Sequence, residues 1–217
     1  MKVETFSYNI PDELAANTYV VSDKNNNAVV IDPSVDYDGI LNYLRNNKLT
    51  LKGILLTHGH FDHIRGVKRL ILNYDVHLYV HTLDAELLTN PKKNCSSDFD
   101  EEIIVNVNPS VVNDGDILNI LNEPVKVIHT PYHTAGGVCY YLENSKILFS
   151  GDSLFKLTVG RDDLPTSVPN KKHDSLNKII SLSKDTKVYP GHGKTTSIGE
   201  EVLFNRFINS WTTHHLR

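Results

Sequence analysis

The length, composition and charge of the chain exclude several kinds of protein. Its 217 residues, of which 40% are hydrophobic, suit one sizeable domain with a single core. The formal net charge of -4 and the lack of a basic cluster argue against a nucleic-acid partner, because phosphate binding needs concentrated Lys and Arg. No apolar run approaches the ~20 residues of a membrane span, and no export signal follows Met1, so we expect a cytoplasmic protein without membrane contact.

The first half of the chain alternates between strand patterns and helix patterns. Short apolar runs bounded by turn residues predict strands over residues 3–8, 17–22, 28–32, 51–56 and 76–80. Apolar residues at helical spacing predict helices over residues 37–47, from near 62 through 71, and over 83–89. The apolar stripe of the second helix indicates that it packs on a sheet.

The second half begins with a polar loop, residues 90–110, which we expect to be exposed and to border a cleft. Cys95 in this loop and Cys139 lack CxxC spacing and are predicted to be free thiols. Further strands are predicted over 117–121, 125–130, 138–142, 146–150 and 187–189, and helices over 173–182 and 199–211. Two mixed halves of strands and helices favour a single α/β domain over residues 1–217, with strand layers packed inside helices.

The segment THGHFDH, from Thr57 to His63, places three histidines and an aspartate directly after a predicted strand. Residues two apart in an extended chain point the same way, so His58 and His60 can converge on one cation. Asp62 and His63 are adjacent and need a turn or a helix start, from which they can serve a second cation. Imidazole and carboxylate ligands together suit zinc, iron or manganese.

Four short apolar strands lead into loops with candidate ligands: GILLTHGHFDH, VKVIHTPYH, KILFSGD and KVYPGH. Loops at one edge of a rigid sheet can gather side chains from distant positions of the sequence. We therefore expect one metal site formed by His58, His60, Asp62, His63, His133, Asp152 and His192. Seven ligands are too many for one tetrahedral ion, but they suit two divalent ions that share a carboxylate and keep an open position for catalysis.

These motifs resemble the metallo-β-lactamase superfamily, whose HxHxDH signature is followed by a lone His, an Asp and a final His, and the match covers nearly the whole chain. The resemblance implies an αββα sandwich of two mixed sheets flanked by helices. It also implies a ligand partition: His58, His60 and His133 for the first metal, Asp62, His63 and His192 for the second, and Asp152 as the bridge.

The stretches SGDSLF, GRDDLP and YPGHG resemble most the glyoxalase II-like hydrolases, especially the small bacterial type. This resemblance implies a small-molecule thioester such as S-lactoylglutathione as the substrate, two metal ions with zinc favoured, a hydroxide shared by the metals as nucleophile, and Asp62 as the residue that orients it. The β-lactamases proper usually have cysteine at the position of Asp152, so antibiotic hydrolysis is not expected. The alternatives are a persulfide dioxygenase with one iron, a lactone or other ester hydrolase, and a nuclease-like or RNA-binding member.

The chain departs from the family pattern near one ligand and at its end. TPYHTAG stands where TPGHTPG is common, so Tyr132 and Ala135 replace glycine and proline. If the glycine position needs a positive φ, the backbone of Tyr132 is strained; otherwise the loop differs and the phenol can face the cleft. Because Tyr132 precedes a candidate ligand in a loop with little core to enter, we predict that its side chain lies at the mouth of the site and contacts substrate. The chain ends where the basic, glutathione-binding extension of full-length glyoxalase II would begin, so we expect weak binding of glutathione thioesters.

Other polar residues near the motifs favour supporting roles. Asp32 and His129 lie at predicted strand ends and are interpreted as hydrogen-bonding residues behind the ligands. Arg161, in VGRDD, is predicted to pair with a nearby carboxylate, with substrate contact as the alternative. Lys156 and Lys194 are interpreted as solvated surface residues.

Overall fold

The computed structural model describes residues 1–8, 15–35, 38–99 and 101–212, with side chains through residue 210. Two six-stranded sheets lie face to face, and helices cover their outer faces. This arrangement confirms the predicted αββα sandwich.

The first sheet contains, in spatial order, β1 (Lys2–Phe6), β2 (Thr18–Ser22), β3 (Asn27–Ile31), β4 (Thr50–Leu55), β5 (His77–His81) and β6 (Ser110–Val112). The first three strands pair antiparallel, while β3 through β6 pair parallel. Parallel neighbours need crossover connections, and helices provide them on the outer face. Strand β6 is a short parallel edge strand that the sequence pattern did not predict.

The second sheet contains, in spatial order, β14 (Thr196–Ser197), β13 (Lys187–Pro190), β10 (Ile147–Gly151), β9 (Val138–Leu142), β8 (Val125–His129) and β7 (Ile117–Leu118). All of its pairs are antiparallel except that of β10 with β13. A separate hairpin of β11 (Leu154–Phe155) and β12 (Thr158–Val159) follows β10.

The α-helices are α1 (Gly39–Asn46), α2 (Phe61–Ile64), α3 (Val67–Asn73), α4 (Lys172–Ile180), α5 (Ile198–Phe204) and α6 (Arg206–Thr212). Three 3₁₀ helices span Thr82–Thr89, Ser96–Asp98 and Pro169–Lys171. Within the described ranges, no helix has the length and apolar character that crossing a bilayer requires.

The buried apolar residues form three layers, because alternate residues of a strand point to opposite faces of its sheet. Between the first sheet and its helices lie Val20, Val30, Ile54, Ile40, Leu44, Ile64 and Leu70. Between the two sheets lie Tyr19, Val21, Val29, Leu55, Val127, Tyr140 and Phe149. Between the second sheet and its helices lie Cys139, Leu148, Val188, Leu176, Ile179 and Ile198. The two sheets are therefore held rigidly, with their loops at a common edge.

Two predicted helices are interrupted in the structure. The helix that begins near residue 62 breaks at Gly66, whose N–H donates to the Pro33 carbonyl at 2.8 Å. The helix predicted over 199–211 breaks at Asn205, whose backbone is extended (φ -77, ψ 114). The Asn205 amide donates to the Thr158 carbonyl at 3.0 Å and to the Glu201 carboxylate at 2.7 Å. These contacts join the end of α5 to the β11–β12 hairpin.

Candidate metal centre

The seven predicted ligands lie together at the loops that follow β4, β8, β10 and β13. The rings of His58 and His133, far apart in the sequence, have centroids 4.9 Å apart. The rings of His63 and His192 have centroids 5.5 Å apart. The structure thus brings together residues from both sheets, as the strand-to-loop pattern predicted.

The ligand atoms fall into three overlapping groups of three, of which His58, His63 and Asp152 form the one that links the other two. One nitrogen each of His58, His60 and His133 lies within 4.8 Å of the others. The second trio is Asp62, His63 and His192, whose ligand atoms lie within the same limit. We refer to these sets below as the first trio and the second trio.

Asp152 lies between the two trios. Its Oδ1 is 3.4 Å from Nε2 of His63, in the second trio. Its Oδ2 is 3.5 Å from Nε2 of His133, in the first trio, and 3.6 Å from Nε2 of His192. A carboxylate with oxygens facing both sets has the placement that a bridging ligand requires.

Buried atoms without hydrogen-bond partners show that this arrangement fits metal ions. His58 Nε2, His63 Nε2 and Asp152 Oδ1 are buried and form no hydrogen bond with the described part of the chain. A buried polar atom left unsatisfied costs about 1–3 kcal/mol, so three at one point need an explanation. Two divalent ions would satisfy all three atoms, and imidazole with carboxylate is the donor set that zinc, iron and manganese accept.

Hydrogen bonds behind the ligands fix the direction of their rings. Asp32 Oδ2 lies 2.9 Å from Nδ1 of His63, as predicted for a supporting carboxylate, and so directs Nε2 of that ring toward the site. Asp32 also accepts from the backbone N–H and hydroxyl of Thr57, at 2.8 and 2.6 Å. Nδ1 of His133 lies 2.8 Å from the carbonyl oxygen of Arg161, which leaves Nε2 of His133 facing the other ligands.

Burial keeps two ligands of the first trio neutral. Burial, followed by the charge of neighbouring His63, holds the pKa of His58 well below its usual range. Burial and the adjacent His133 lower the pKa of His60 to about 3. Both imidazoles are therefore neutral at pH 7, which is the form that binds metal.

The carboxylates reverse this balance in the second trio. Burial opposes a charge on His63, but Asp62 and Asp32 outweigh it and raise the pKa of His63 well above its usual range. Burial likewise opposes ionisation of Asp152, yet the charge of His63 outweighs it and lowers the pKa of Asp152. A proton on His63 thus compensates the buried carboxylates, and a divalent cation would take the place of that proton.

A cleft of about 250 Å³ opens onto the ligands. Besides five of the ligands, its lining comprises Phe61, Cys95, Asp98, Phe99, Arg161, Leu164 and Pro165. The rings of Phe61 and Phe99 have centroids 4.5 Å apart and form an apolar wall. The loop predicted to border a cleft therefore does so, through Cys95, Asp98 and Phe99. Cys95 and Cys139 are both free thiols, as predicted.

A family comparison agrees with the fold and the ligand geometry. Residues 11–192 match the model of the metallo-beta-lactamase superfamily. The chain belongs to this superfamily. The resemblance seen in the sequence motifs is thereby confirmed.

Relatives within the metallo-beta-lactamase superfamily include proteins with hydrolase names. A Bacillus subtilis protein named "Probable metallo-hydrolase YqgX" is 31% identical over 204 residues, which are 92% of this chain and 95% of the relative. The Haemophilus influenzae hydroxyacylglutathione hydrolase GloC is 29% identical over 197 residues, which are 89% of this chain and 93% of the relative.

Solved structures of the superfamily are similar over nearly the whole chain. The B3 metallo-beta-lactamase BLEG-1 has a TM-score of 0.89 at 33% identity and covers 95% of this chain and 99% of its own. TTHA1623 in a di-iron-bound form has a TM-score of 0.79 at 32% identity, with coverages of 95% and 100%. ETHE1 from Myxococcus xanthus has a TM-score of 0.77 at 25% identity, with coverages of 97% and 85%.

The predicted position of Tyr132 is wrong. Its side chain is 0% exposed and packs beneath the site among the apolar residues of the outer layer, instead of lying at the mouth. The loop turns toward α4, where the Ser175 hydroxyl donates to the Pro131 carbonyl at 2.9 Å, so the ring has a core to enter. Tyr132 is absent from the described residues with positive φ, and the glycine-to-tyrosine change therefore needs no strained backbone there.

Arg161, His129 and the two lysines have the surroundings that the sequence predicted, and Arg161 in addition lines the cleft. The Arg161 guanidinium donates to both carboxylate oxygens of Asp163, at 2.6 and 2.9 Å, and also lines the cleft. One ring nitrogen of His129 lies 2.9 Å from the Ala135 carbonyl oxygen. Lys156 and Lys194 are exposed.

Sequence reasoning missed Asp84, a buried carboxylate beside the centre. Asp84 lies in the 3₁₀ helix Thr82–Thr89 and is 0% exposed. Its hydrogen bonds all go to the loops that carry the first trio. In the sequence, Asp84 is recognisable only as a charged residue on the apolar face of a predicted short helix. That feature alone does not assign a role to it.

Proposed function

We propose that the chain is a binuclear metal-dependent hydrolase that cleaves a small thioester. The observation that carries the proposal is the convergence of two ligand trios on either side of Asp152. The first ion would be held by His58, His60 and His133, the second by Asp62, His63 and His192, and Asp152 would serve both. We propose zinc for both ions, with iron or manganese as alternatives, since the similar protein TTHA1623 has a di-iron-bound form.

The chemistry that bound ions supply is a water of lowered pKa, near ~7, and polarisation of a substrate carbonyl. The residues of the chain would provide orientation and an apolar wall. Asp62, which lines the cleft and accepts from Nε2 of His192 at 3.1 Å, would orient the attacking water. Phe61 and Phe99 would form an apolar wall on one side of the reacting group.

The protonation state of the site favours a thioester over an ester with a poor leaving group. Burial opposes ionisation of Asp62 and Asp152, but the charge of His63 prevails and lowers the pKa of both carboxyl groups. As ligands of the proposed ions both groups would also be deprotonated, so neither would hold a proton that it could donate to a leaving group. A thiolate leaves without that donation, whereas an alkoxide needs it.

The cleft offers little charge for the two carboxylates of glutathione. Arg161 is the one Lys or Arg side chain among the described residues of the lining, and Asp163 already pairs with it. Asp98, also in the lining, adds a negative charge. We therefore propose a small acyl thioester whose thiol half is not strongly anionic, with weak binding and a high KM for S-lactoylglutathione. The rate of the chemical step should be retained, because the metal centre would act on the acyl group and not on the remote groups of the thiol.

Persulfide oxidation with one iron is the second candidate function. It is the oxidoreductase alternative that the sequence motifs leave open within the superfamily, whose solved structures include ETHE1 from Myxococcus xanthus, 25% identical over 97% of this chain. Two complete trios and a carboxylate between them favour two ions, and so favour the hydrolase.

A substrate panel tests the proposal. Protein loaded with zinc, iron or manganese would be assayed with S-lactoylglutathione, the lactate thioester of N-acetylcysteamine, a lactone and a persulfide. A β-lactam completes the panel, since BLEG-1 is a β-lactamase. We expect turnover of both thioesters, a lower KM for the uncharged thiol, and loss of turnover in His58→Ala. Faster turnover of the lactone or the β-lactam than of either thioester would refute the proposal.

A further inference from the structure

We propose that Asp84 is a positioning residue that fixes the ligands of the first trio, and that it does so without supporting the second. The inference rests on the proposed metal centre and is independent of the substrate. It follows from the contacts of one carboxylate with two loops that are distant in the sequence.

The first loop is the segment between His58 and His60. The N–H of Gly59, which separates these two ligands, donates to Asp84 Oδ2 at 3.0 Å. The loop also lies directly against the helix of Asp84, since a Cβ on Gly59 would be 2.6 Å from Cβ of Leu87. The backbone between the two histidines is thus held on the surface of that helix.

The second loop carries the third ligand, His133. The Thr134 hydroxyl donates to Asp84 Oδ2 at 2.8 Å, and the Gly136 N–H donates to Oδ1 at 2.7 Å. A Cβ on Gly136 would lie 2.5 Å from Asp84 Oδ1, so the chain approaches the carboxylate as closely as glycine allows. One carboxylate therefore ties all three members of the first trio into a single unit.

The surroundings of Asp84 indicate that its buried charge is stabilised by the loops that it positions. The side chain is 0% exposed, and among the described residues no Lys or Arg forms an ion pair with it. A buried carboxylate without a cation is unfavourable unless hydrogen bonds compensate. All three of its donors belong to the ligand loops, so the compensation comes from the groups that must be positioned.

The second trio has its own support. Asp32 lies 2.9 Å from His63, and the His192 ring lies 3.1 Å from Asp62. Asp84 accepts none of its hydrogen bonds from the loop of His192 or from Asp62 and His63. Loss of the Asp84 carboxylate should therefore weaken one ion selectively.

Asp84→Asn tests this selectivity. The amide has one oxygen, so it can accept from Gly59 and Thr134 only by turning its NH₂ toward the N–H of Gly136. Zinc affinities would be measured by competition with a chromophoric chelator. We expect the affinity for one of two zinc ions to fall about 10–100-fold, the usual effect of removing a group that orients metal ligands, and that for the other to stay within about threefold.

Glu201→Gln is the matched control. Glu201 is also 0% exposed, and it accepts from the Thr196 hydroxyl, the Leu157 N–H and the Asn205 amide at 2.6, 2.9 and 2.7 Å. None of these donors adjoins a predicted ligand. The control should lose thermal stability and keep both zinc affinities, which separates positioning from general destabilisation. Thr134→Val is a milder second variant that removes one of the three hydrogen bonds to Asp84 and should weaken the same ion by less.

Two ligand-deficient backgrounds assign the affected ion. In His192→Ala the second trio is incomplete, so the zinc affinity that is measured should be that of the first trio. Adding Asp84→Asn to this variant should lower that affinity by the same factor. In His60→Ala, where the first trio is broken, it should have no further effect. Equal weakening of both ions, or unchanged affinities in Asp84→Asn and Thr134→Val, would overturn the inference alone. Failure of the unmodified chain to bind zinc, iron or manganese would overturn the proposed function as well.

Discussion

Tyr132→Phe distinguishes a phenol that supports the floor of the metal centre from one that contacts substrate. The Tyr132 hydroxyl accepts from the Gly160 N–H at 3.1 Å, donates to the Ser153 carbonyl, and lies 3.3 Å from the Asp152 carbonyl. Phenylalanine keeps the buried ring and leaves the Gly160 N–H without this partner. A buried group in that condition costs about 1–3 kcal/mol. For a chain of this size, the melting temperature should fall by roughly 2–4 °C per kcal/mol, and so by about 2–12 °C.

Thermal unfolding with excess chelator is the assay, because bound metal would otherwise add to the stability of the folded state. Tyr141→Phe is the control. The Tyr141 side chain is 5% exposed, and its hydroxyl makes no hydrogen bond within the described part of the chain. We expect the control to change the free energy of unfolding by less than about 1 kcal/mol.

Kinetics of Tyr132→Phe complete the test. The lost hydrogen bonds hold the backbone of Asp152 and Ser153, so metal affinity should fall while KM at full metal loading stays within about threefold of the original. An unfolding free energy within about 0.5 kcal/mol of the original, together with a large change in KM, would show that the phenol contacts substrate and does not support the metal ligands.

Three further substitutions probe other parts of the account. Asp152→Ala should lose more metal than His192→Ala, because the Asp152 oxygens lie 3.4 to 3.6 Å from ligands of both trios; elemental analysis after dialysis checks this, and equal losses contradict a bridge. Arg161→Ala should change the free energy of unfolding by less than about 1 kcal/mol, since its pair with Asp163 is exposed, while raising KM for anionic thioesters; urea unfolding and steady-state kinetics measure both. Burial and neighbouring His129 lower the pKa of His81 to about 4, whereas the unfolded residue binds its proton near 6.5, so stability should fall as pH falls from 6.5 to 4. In His81→Gln the free energy of unfolding, measured with urea at several pH values, should fall less steeply between pH 6.5 and pH 4. The same steepness in both proteins would show that His81 does not cause the loss of stability.

The ligands could be predicted because their pattern is local. Each follows an apolar strand within a few residues, and strand ends at one edge of a sandwich converge whatever the details of packing. His58 and His60 also carry the two-residue spacing that directs side chains to one side. The strands could be predicted from short apolar runs, because the central strands are buried on both faces, as in Thr18–Ser22 and Ile147–Gly151.

Tyr132, Asp84 and Asn205 show what local patterns could not reveal. The direction of the Tyr132 side chain depends on how its loop packs against α4. The role of Asp84 depends on Gly59 and Gly136, which are 25 and 52 residues away in the sequence. The break at Asn205 depends on Thr158, 47 residues away. In each case the outcome depends on a contact between residues that are far apart in the sequence, which neighbouring residues do not determine.

Metal content and oxygen uptake, measured on one purified sample during turnover, distinguish a binuclear hydrolase from a persulfide dioxygenase with one iron. The proposed hydrolase should hold two equivalents of zinc, iron or manganese per chain, cleave a lactate thioester without consuming oxygen, and lose activity when a chelator removes the metal. One iron per chain, with oxygen consumed in step with a persulfide and no thioester cleavage, would contradict the account.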